Sequence, residues 1–506
     1  MVKLTGEDLR IEDVVSVARN NSKVEIDEKA IQRVRDYRKI VEKLIEKGKL
    51  IYGVNTGVGE LANVALTRDQ VKEFQKYLIY SHAAGGGERA SEEDVRAVML
   101  ARINTLLKGF SGVRPVIIET MAKMLNRRVT PLVFSASVGA SGDLAPLAQI
   151  ALVMMGKGEA FFKGKLMSGK EAMRKAKIKP VEFEAKEGLA VINGPTLTTG
   201  IGALEVYDAK KFVKTSEIAA AMSLEALNAV MTAFDERIQK VRGYKGAIDC
   251  AENIRRITEG SEILSQKKER VQDAYSLRST PQVIGAARDA LEFSEKMIEI
   301  ELNAAADNPL FFLDNGGECL TGANFQGTPL AFALELLDIA ITTVCALSER
   351  RLNRILDPKL NNGLPPFLSK KGGLFSGMMV AQYTAASLVC ENRILCTPAA
   401  IGSIPVSGNQ EDFVSMCTVT ALKTKRILKN AYTILAVEFL AAAQGLDFRE
   451  PLKPGRGTKT AYDVIRSYVE PLEEDRPLYK DIERVAKLVE KGRILEEVEK
   501  EIGELK

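Results

Sequence analysis

Two patterns of apolar and polar positions divide the chain. Up to about residue 200, apolar residues recur in short helical runs broken by glycine-rich segments. In the first 50 residues Ile31, Val34, Ile40, Val41, Leu44 and Ile45 fall at helical spacing, and Thr5-Gly6-Glu7-Asp8 reads as an N-cap region. Helices are predicted over 95–107, 116–125 and 144–155. Gly156-Lys157-Gly158-Glu159 followed by Phe161-Phe162-Lys163-Gly164 predicts a small hairpin. Beyond residue 200 the runs lengthen, to 218–233, 282–302, 329–347, 378–395 and 412–443. Residues 330–341 are apolar nearly all round, as in a helix inside a bundle or between subunits. The embedded Glu335 and Asp338 argue against a membrane span. The tail 461–503 is charged and helical, with an internal break at Leu472-Glu473-Glu474-Asp475-Arg476-Pro477.

The expected fold is therefore mainly α, in two domains. Residues 1–200 form a smaller α-rich domain that carries the glycine-rich loops. Residues 201–506 form an elongated central bundle of long helices with an oligomer interface and a C-terminal helical cap. Burying so much apolar helix surface points to oligomerisation.

Composition narrows the function classes. The 71 basic and 67 acidic side chains nearly cancel, which argues against a nucleic-acid footprint. The start, Val2-Lys3-Leu4-Thr5, is polar; no signal peptide or transmembrane span is read, so a cytoplasmic location without a membrane partner is expected. Cys250, Cys319, Cys345, Cys390, Cys396 and Cys417 are scattered, as reduced and mostly buried thiols would be. His82 is the single histidine, so a multi-histidine metal site is excluded and no metal is expected.

The chemistry centres on Ser137-Val138-Gly139-Ala140-Ser141-Gly142-Asp143-Leu144-Ala145-Pro146. The small residues Ala140, Ser141 and Gly142 permit close backbone approach, and Gly142 permits positive φ. Asp143 reads as the N-cap of the apolar helix that follows. Taken alone, this is a capped turn. A second glycine-rich stretch, Ile51-Tyr52-Gly53-Val54-Asn55-Thr56-Gly57-Val58-Gly59, reads as a mobile or closely approached loop. His82 stands beside an apolar run and before Gly85-Gly86-Gly87, where a helix end is expected.

The Ala-Ser-Gly stretch resembles the signature of the aromatic amino acid lyases: the histidine, phenylalanine and tyrosine ammonia-lyases and the related 2,3-aminomutases. Further stretches resemble that family's motifs in order: Tyr52 to Gly59; His82; Asn193-Gly194; Gln272-Asp273-Ala274-Tyr275-Ser276-Leu277-Arg278; Asp307-Asn308-Pro309; Asn324-Phe325-Gln326-Gly327; and Gln410-Glu411-Asp412. The resemblance implies a methylidene-imidazolone electrophile made autocatalytically from Ala140, Ser141 and Gly142, with no dissociable cofactor. Gly142 would supply the nitrogen that attacks the Ala140 carbonyl, and Ser141 the hydroxyl that leaves. The resemblance also implies a homotetramer whose sites are built from several subunits, so that Tyr52, Asn193 and Phe325 need not share a chain. A binding or scaffold protein on the same fold would lack Ser141 or Tyr52, and neither is missing. The fumarase-like lyases share long central helices, but the Ala-Ser-Gly triplet argues against them.

The implied reaction is elimination of ammonia from an aromatic L-amino acid. Tyr52 is the first candidate for the base and Tyr275 the second; an ordinary tyrosine pKa of about 10 calls for help from positive charge, and Arg278 is one source. The Arg278 guanidinium also suits the substrate carboxylate. Asn193 and the helix starting near Asp143 are expected to stabilise negative charge on the electrophile's oxygen. Gln272, Phe325 and Gln410 complete the implied substrate contacts, with Phe325 against the ring. His82 with Glu411 resembles the histidine enzymes, which makes L-histidine to trans-urocanate the first reading. Pro195 and Ala274 depart from the family's usual residues, and Gln326 and Phe413 stand where the histidine enzymes commonly carry His. Gln326 and Phe413 keep tyrosine or phenylalanine ammonia-lyase, or a 2,3-aminomutase, as the alternative. The bland reading of Glu411 is an acidic residue at a helix start.

Overall fold

The computed structural model describes all 506 residues and is dominated by nineteen α-helices, with three small sheets. The mainly α class expected from the sequence holds. The chain divides into two compact units. The first comprises residues 1–207, 294–335 and 398–422; the second comprises 208–293, 336–397 and 423–506. This partition is discontinuous, unlike a single cut at residue 200. Four long helices, Thr196–Ala226, Thr280–Leu302, Thr328–Leu356 and Cys417–Asp447, contribute residues to both units.

All the strands belong to the first unit. Val2–Leu4 pairs in parallel with Val24–Ile26, which helical periodicity over the first 50 residues does not anticipate. Thr5 to Asp8 forms a turn, and the first helix, Ile11–Ala18, starts after Arg10, so the expected N-cap lies elsewhere. The predicted hairpin is present as Glu159–Phe162 and Lys165–Ser168. Its two-residue turn takes positive φ at both Lys163 (49°) and Gly164 (80°), the geometry that a tight antiparallel turn needs. Val129–Pro131 adds a third strand to it.

The interior of this unit is organised on Glu92–Leu107. Ser91 caps it: its hydroxyl accepts the Asp94 N–H at 3.2 Å, and the Asp94 carboxylate accepts the Ser91 N–H at 2.9 Å. Every residue from Asp94 to Leu107 is buried, so the helix has no solvent face. The helix Thr196–Ala226 crosses it at Gly200, where an added Cβ would lie 2.6 Å from the Val98 nitrogen. The helix starts 22 residues before the predicted 218: within that extra length Gly200 admits the Val98 backbone, and Gly202 makes room for the Ile298 side chain.

In the second unit, Arg351 and Glu438 form a fully buried ion pair, with Nη2 to Oε2 at 2.9 Å. Ser223 donates to the same carboxylate at 2.7 Å, so three of the long helices meet at one polar point. The tail folds as Arg456–Arg466, Tyr479–Glu490 and Arg493–Ile502, with the predicted break between the first two and a further one at Gly492. The helix Thr328–Leu356 is long and apolar enough to cross a membrane, yet 67% of its most apolar window is buried inside the structure. Phe332, Leu336 and Ile339 on that helix are exposed at 58%, 37% and 49%. They form an apolar stripe at helical spacing.

Candidate active site

The Ala-Ser-Gly loop is held in a bent form by a second glycine. Ser141 takes φ +47° and Gly142 φ +82°. Gly194 lies alongside: its N–H donates to the Ser141 carbonyl at 3.0 Å, and its carbonyl accepts the Asp143 N–H at 3.0 Å. A Cβ on Gly142 would lie 2.0 Å from the Gly194 carbonyl carbon, so only glycine fits. The bend needed to close Gly142 nitrogen on the Ala140 carbonyl is of this strained kind, which a surrounding structure must hold.

Asp143 does that holding in an unexpected way. It occupies the position before the helix Leu144–Met154, but its side chain caps nothing there. Instead the fully buried carboxylate accepts the Thr198 N–H at 3.0 Å and the Thr418 hydroxyl. It therefore caps the helix Thr196–Ala226 and ties the loop to the start of Cys417–Asp447. Burial pushes its pKa up, and the Thr418 and Thr198 hydrogen bonds pull the other way. On the same side, the Ser415 hydroxyl donates to the Gly139 carbonyl at 3.2 Å.

The loop opens onto a cavity of about 380 Å³ within the first unit. Tyr52, His82, Ser141, Asn193, Phe325 and Glu411 all line it, with Phe74, Tyr77, Leu78, Leu144 and Leu189 among the apolar and aromatic walls. Its size and mixed lining suit a small organic ligand. Tyr52, Asn193 and Phe325, which were expected to be free to come from different chains, share one cavity of one chain.

Each polar group in the cavity has a defined state. The Tyr52 hydroxyl accepts the Gly59 N–H at 3.0 Å. Burial raises its pKa; the Gly59 hydrogen bond opposes the rise, and the charge of Glu411 adds to it. His82 ends the helix Arg68–His82, and its Nδ1 lies 2.8 Å from the Leu78 carbonyl oxygen. A carbonyl only accepts, so Nδ1 carries the proton and the neutral ring offers Nε2 as an acceptor. Burial lowers the His82 pKa, and the Leu78 contact opposes the fall. Glu411 is paired through its backbone with Val406, beyond the turn Ser407–Asn409. The helix predicted from 412 starts only at Cys417, so Glu411 is not a helix-start residue. Burial raises its pKa, against hydrogen bonds with Ser141 and Ser407.

Asn193 is 2% exposed. Its Nδ2 donates to Asp307 Oδ1 at 3.0 Å and to the Asn308 carbonyl at 2.8 Å. Both amide N–H groups are thus used, and none is left for the donor role expected of it. Sequence reasoning overlooked what fixes them: Lys186, fully buried and paired with Asp307. Nothing in Ala185-Lys186-Glu187-Gly188 marks that lysine out from a surface one.

Six predicted residues are not among those lining this cavity, Ala140 and Gly142 of the loop itself and four others. Gln272 is exposed, and Tyr275 is 72% exposed on the short helix Tyr275–Arg278. The Arg278 guanidinium sits 4.6 Å from the Tyr275 ring centroid, a cation–π contact. All three belong to the second unit. Gln410, next to Glu411, faces solvent. Ala140 is half-buried in the loop itself.

Comparison with known proteins agrees with this geometry. The sequence profile of the family described as aromatic amino acid lyase matches residues 9–467. The chain is 49% identical over 504 residues to a histidine ammonia-lyase of Caldanaerobacter subterraneus subsp. tengcongensis, covering 99% of both chains. Among solved structures, tyrosine aminomutase from Streptomyces globisporus superposes with a TM-score of 0.96 at 38% identity, covering 100% of both chains. Histidine ammonia-lyase from Trypanosoma cruzi superposes with a TM-score of 0.92 at 35% identity, covering 99% of this chain and 95% of that one. With its Ala-Ser-Gly loop bent against Gly194 and a tyrosine-lined cavity above it, the chain belongs to the aromatic amino acid lyase family.

Proposed function

We propose that this protein is an ammonia-lyase that converts L-histidine to trans-urocanate and ammonia. The observation that carries the choice of substrate is that His82 and Glu411 both line the cavity that also holds Ser141. Half-buried carboxylate charge is costly without a partner, and an imidazole N–H supplies one. His82 Nε2, an acceptor in the neutral ring, is a second group that an imidazole N–H satisfies.

The bent loop and the closeness of Gly142 to Gly194 suit a methylidene-imidazolone formed from Ala140, Ser141 and Gly142, without a dissociable cofactor. That group supplies an electrophilic carbon that turns the amino group into a leaving group. The chain's own residues do the rest. Tyr52 removes the β-proton, Phe325 packs on the ring, and Glu411 and His82 orient it. Inside one chain the Tyr52 pKa is raised rather than lowered, so a base at this position needs added positive charge. Arg278 would bring it, together with Tyr275 and Gln272, from another subunit of a homotetramer; the exposure of Tyr275 and Gln272 and the apolar stripe at Phe332, Leu336 and Ile339 support that assembly. Arg278 would then also bind the substrate carboxylate. We place the enzyme in the cytoplasm, without nucleic-acid or membrane partners.

Purified protein offered L-histidine, L-tyrosine and L-phenylalanine tests the proposal by ultraviolet absorbance of urocanate, coumarate and cinnamate. Urocanate formed fastest supports it; coumarate or cinnamate formed faster refutes the substrate. The similarity to a tyrosine aminomutase favours one second reading. Chromatographic detection of a β-amino acid would select it.

A further inference from the structure

Lys186 and Asn193 stand at the two ends of one short helix, Glu187–Ile192, and both reach the same carboxylate. Lys186 Nζ donates to Asp307 Oδ1 at 3.0 Å and Oδ2 at 2.9 Å. Asn193 Nδ2 donates to the same Oδ1 at 3.0 Å. The Asn308 N–H donates to it as well, at 2.7 Å. The Lys186 and Asp307 side chains have no solvent exposure at all. Lys186 also adopts φ +76°, a conformation that a lysine takes only where its surroundings impose it. A buried ion pair is a poor source of stability, so a fold that builds one with a strained backbone beside a cavity gains something else by it.

What it gains is the orientation of one amide. Both atoms facing Asn193 Nδ2, the Asp307 carboxylate and the Asn308 carbonyl, can only accept hydrogen bonds. The amide cannot turn over without setting its oxygen against them. Its Oδ1 is thereby left buried and without a hydrogen-bond partner. Asn193 lines the same cavity as Ser141 and Tyr52. A buried acceptor with no donor fits a ligand that brings its own N–H, and repels one that brings a carboxylate.

We propose that Lys186 and Asp307 form a buried clamp that fixes the Asn193 amide with its oxygen toward the substrate's α-amino group. Lys186 is then a positioning residue for an amine that it does not touch. This rests on the ammonia-lyase reading and adds to it the groups that recognise the amine.

The test separates amine recognition from ring preference. Full-length Ser141→Ala protein binds ligand without turnover. Calorimetry gives its affinity for L-histidine, L-tyrosine and L-phenylalanine, and for the amine-free acid matched to each: imidazolepropionate, hydroxyphenylpropionate and phenylpropionate. The amino acid bound tightest tests the histidine reading; the ratio within each pair tests the clamp. Lys186→Met with Asp307→Asn removes both charges of the pair together, with Arg102 losing the Asp307 charge as well. It should weaken the amino acid about tenfold and the amine-free acid less than about twofold. Lys186→Arg, which keeps the ion pair, should retain most of the selectivity. Asn193→Ala should produce the same amine-selective loss, and adding the clamp variants to it should cost nothing more. Equal losses for both members of a pair, no loss for either, or additive losses on Asn193→Ala would overturn the clamp. The Asn193→Ala and Lys186→Arg proteins decide the matter if the double variant does not fold.

Discussion

The backbones of Gly142 and Gly194 are in direct contact: a Cβ on Gly142 would fall 2.1 Å from the Gly194 carbonyl oxygen. Gly142→Ala must push Gly194 away and hold alanine at φ +82°. Overpacking costs about 1–3 kcal/mol and a left-handed residue about 1–2 kcal/mol more. We expect a lower melting temperature, loss of turnover, and a protein mass equal to that of the unmodified sequence. A variant as active as the parent would show that the contact does not shape the loop.

Ser141→Ala makes the complementary test, because alanine removes the hydroxyl without adding bulk. The melting temperature should stay within a few degrees, as for a change at a half-buried loop site. Turnover should vanish. The parent's intact mass should lie two waters, about 36 Da, below its sequence mass, and the variant's should not. An active parent with the unmodified mass would rule out the self-formed electrophile.

Two carboxyls outside the cavity set a pH dependence of stability. Burial pushes Glu301 up to about 7, and Glu225 likewise to about 7 against its hydrogen bond from the Gly455 N–H. Between the unfolded value of 4.5 and about 7, the folded chain holds a proton that the unfolded chain has lost. Stability from each group is therefore full below 4.5, falls as pH rises through this window, and stays low above it. Each contributes on the order of 3 kcal/mol at most. Glu301→Gln should raise the melting temperature at pH 8 and leave it nearly unchanged near pH 4.5. The same increment at both pH values would show that Glu301 is not held protonated.

The residues that were legible in the sequence are those whose chemistry is local. Ala140, Ser141 and Gly142 announce a tight loop by their size alone, and residues 330–341, apolar nearly all round, announce a helix of the interior or of an interface. Illegible were the features that depend on a distant partner. Asp143 reads as the cap of its own helix because its real partners, Thr198 and Thr418, lie 55 and 275 residues away. The start of Thr196–Ala226 goes unread because Val98, whose backbone Gly200 admits, is distant in sequence. Lys186 reads as surface charge because Asp307 is 121 residues on. The start at Cys417 was misplaced for a different reason: Met416 takes φ +57° and donates to the Val138 carbonyl, a conformation that the apolar run does not signal.

The exposed Tyr275 and the half-buried Arg278 stacked on it predict complementation between subunits. If another subunit supplies them to the cavity, Tyr52→Phe and Arg278→Ala chains are each inactive alone. Unfolded together and refolded, they should regain activity, because some sites then combine two intact contributions. Light scattering should show a tetramer throughout. A stable active monomer, or no recovery from mixed tetramers, would refute shared sites.

Glu411 decides the substrate. Its carboxyl is half-buried beside Tyr52, Ser141 and His82, with its pKa raised by burial against hydrogen bonds from Ser141 and Ser407. Ionised, it is best paired by a ring that donates N–H; a phenyl ring offers nothing, and a phenol can give its proton to His82 instead. Glu411→Gln keeps the shape and removes the charge. Turnover on L-histidine should fall by about tenfold to a hundredfold, the worth of a charge-assisted hydrogen bond, while L-phenylalanine changes little or improves. The charge acts on Tyr52 as well, since Glu411 raises the tyrosine's pKa. Removing it should therefore lower the pH at which Tyr52 deprotonates, and the ascending limb of the pH–rate profile, which deprotonation of the base sets, should move to lower pH with it. A drop on histidine without that movement would assign Glu411 to the ring alone. Undiminished histidine turnover in Glu411→Ala would remove Glu411 from the site altogether, and with it the ground for preferring histidine over tyrosine.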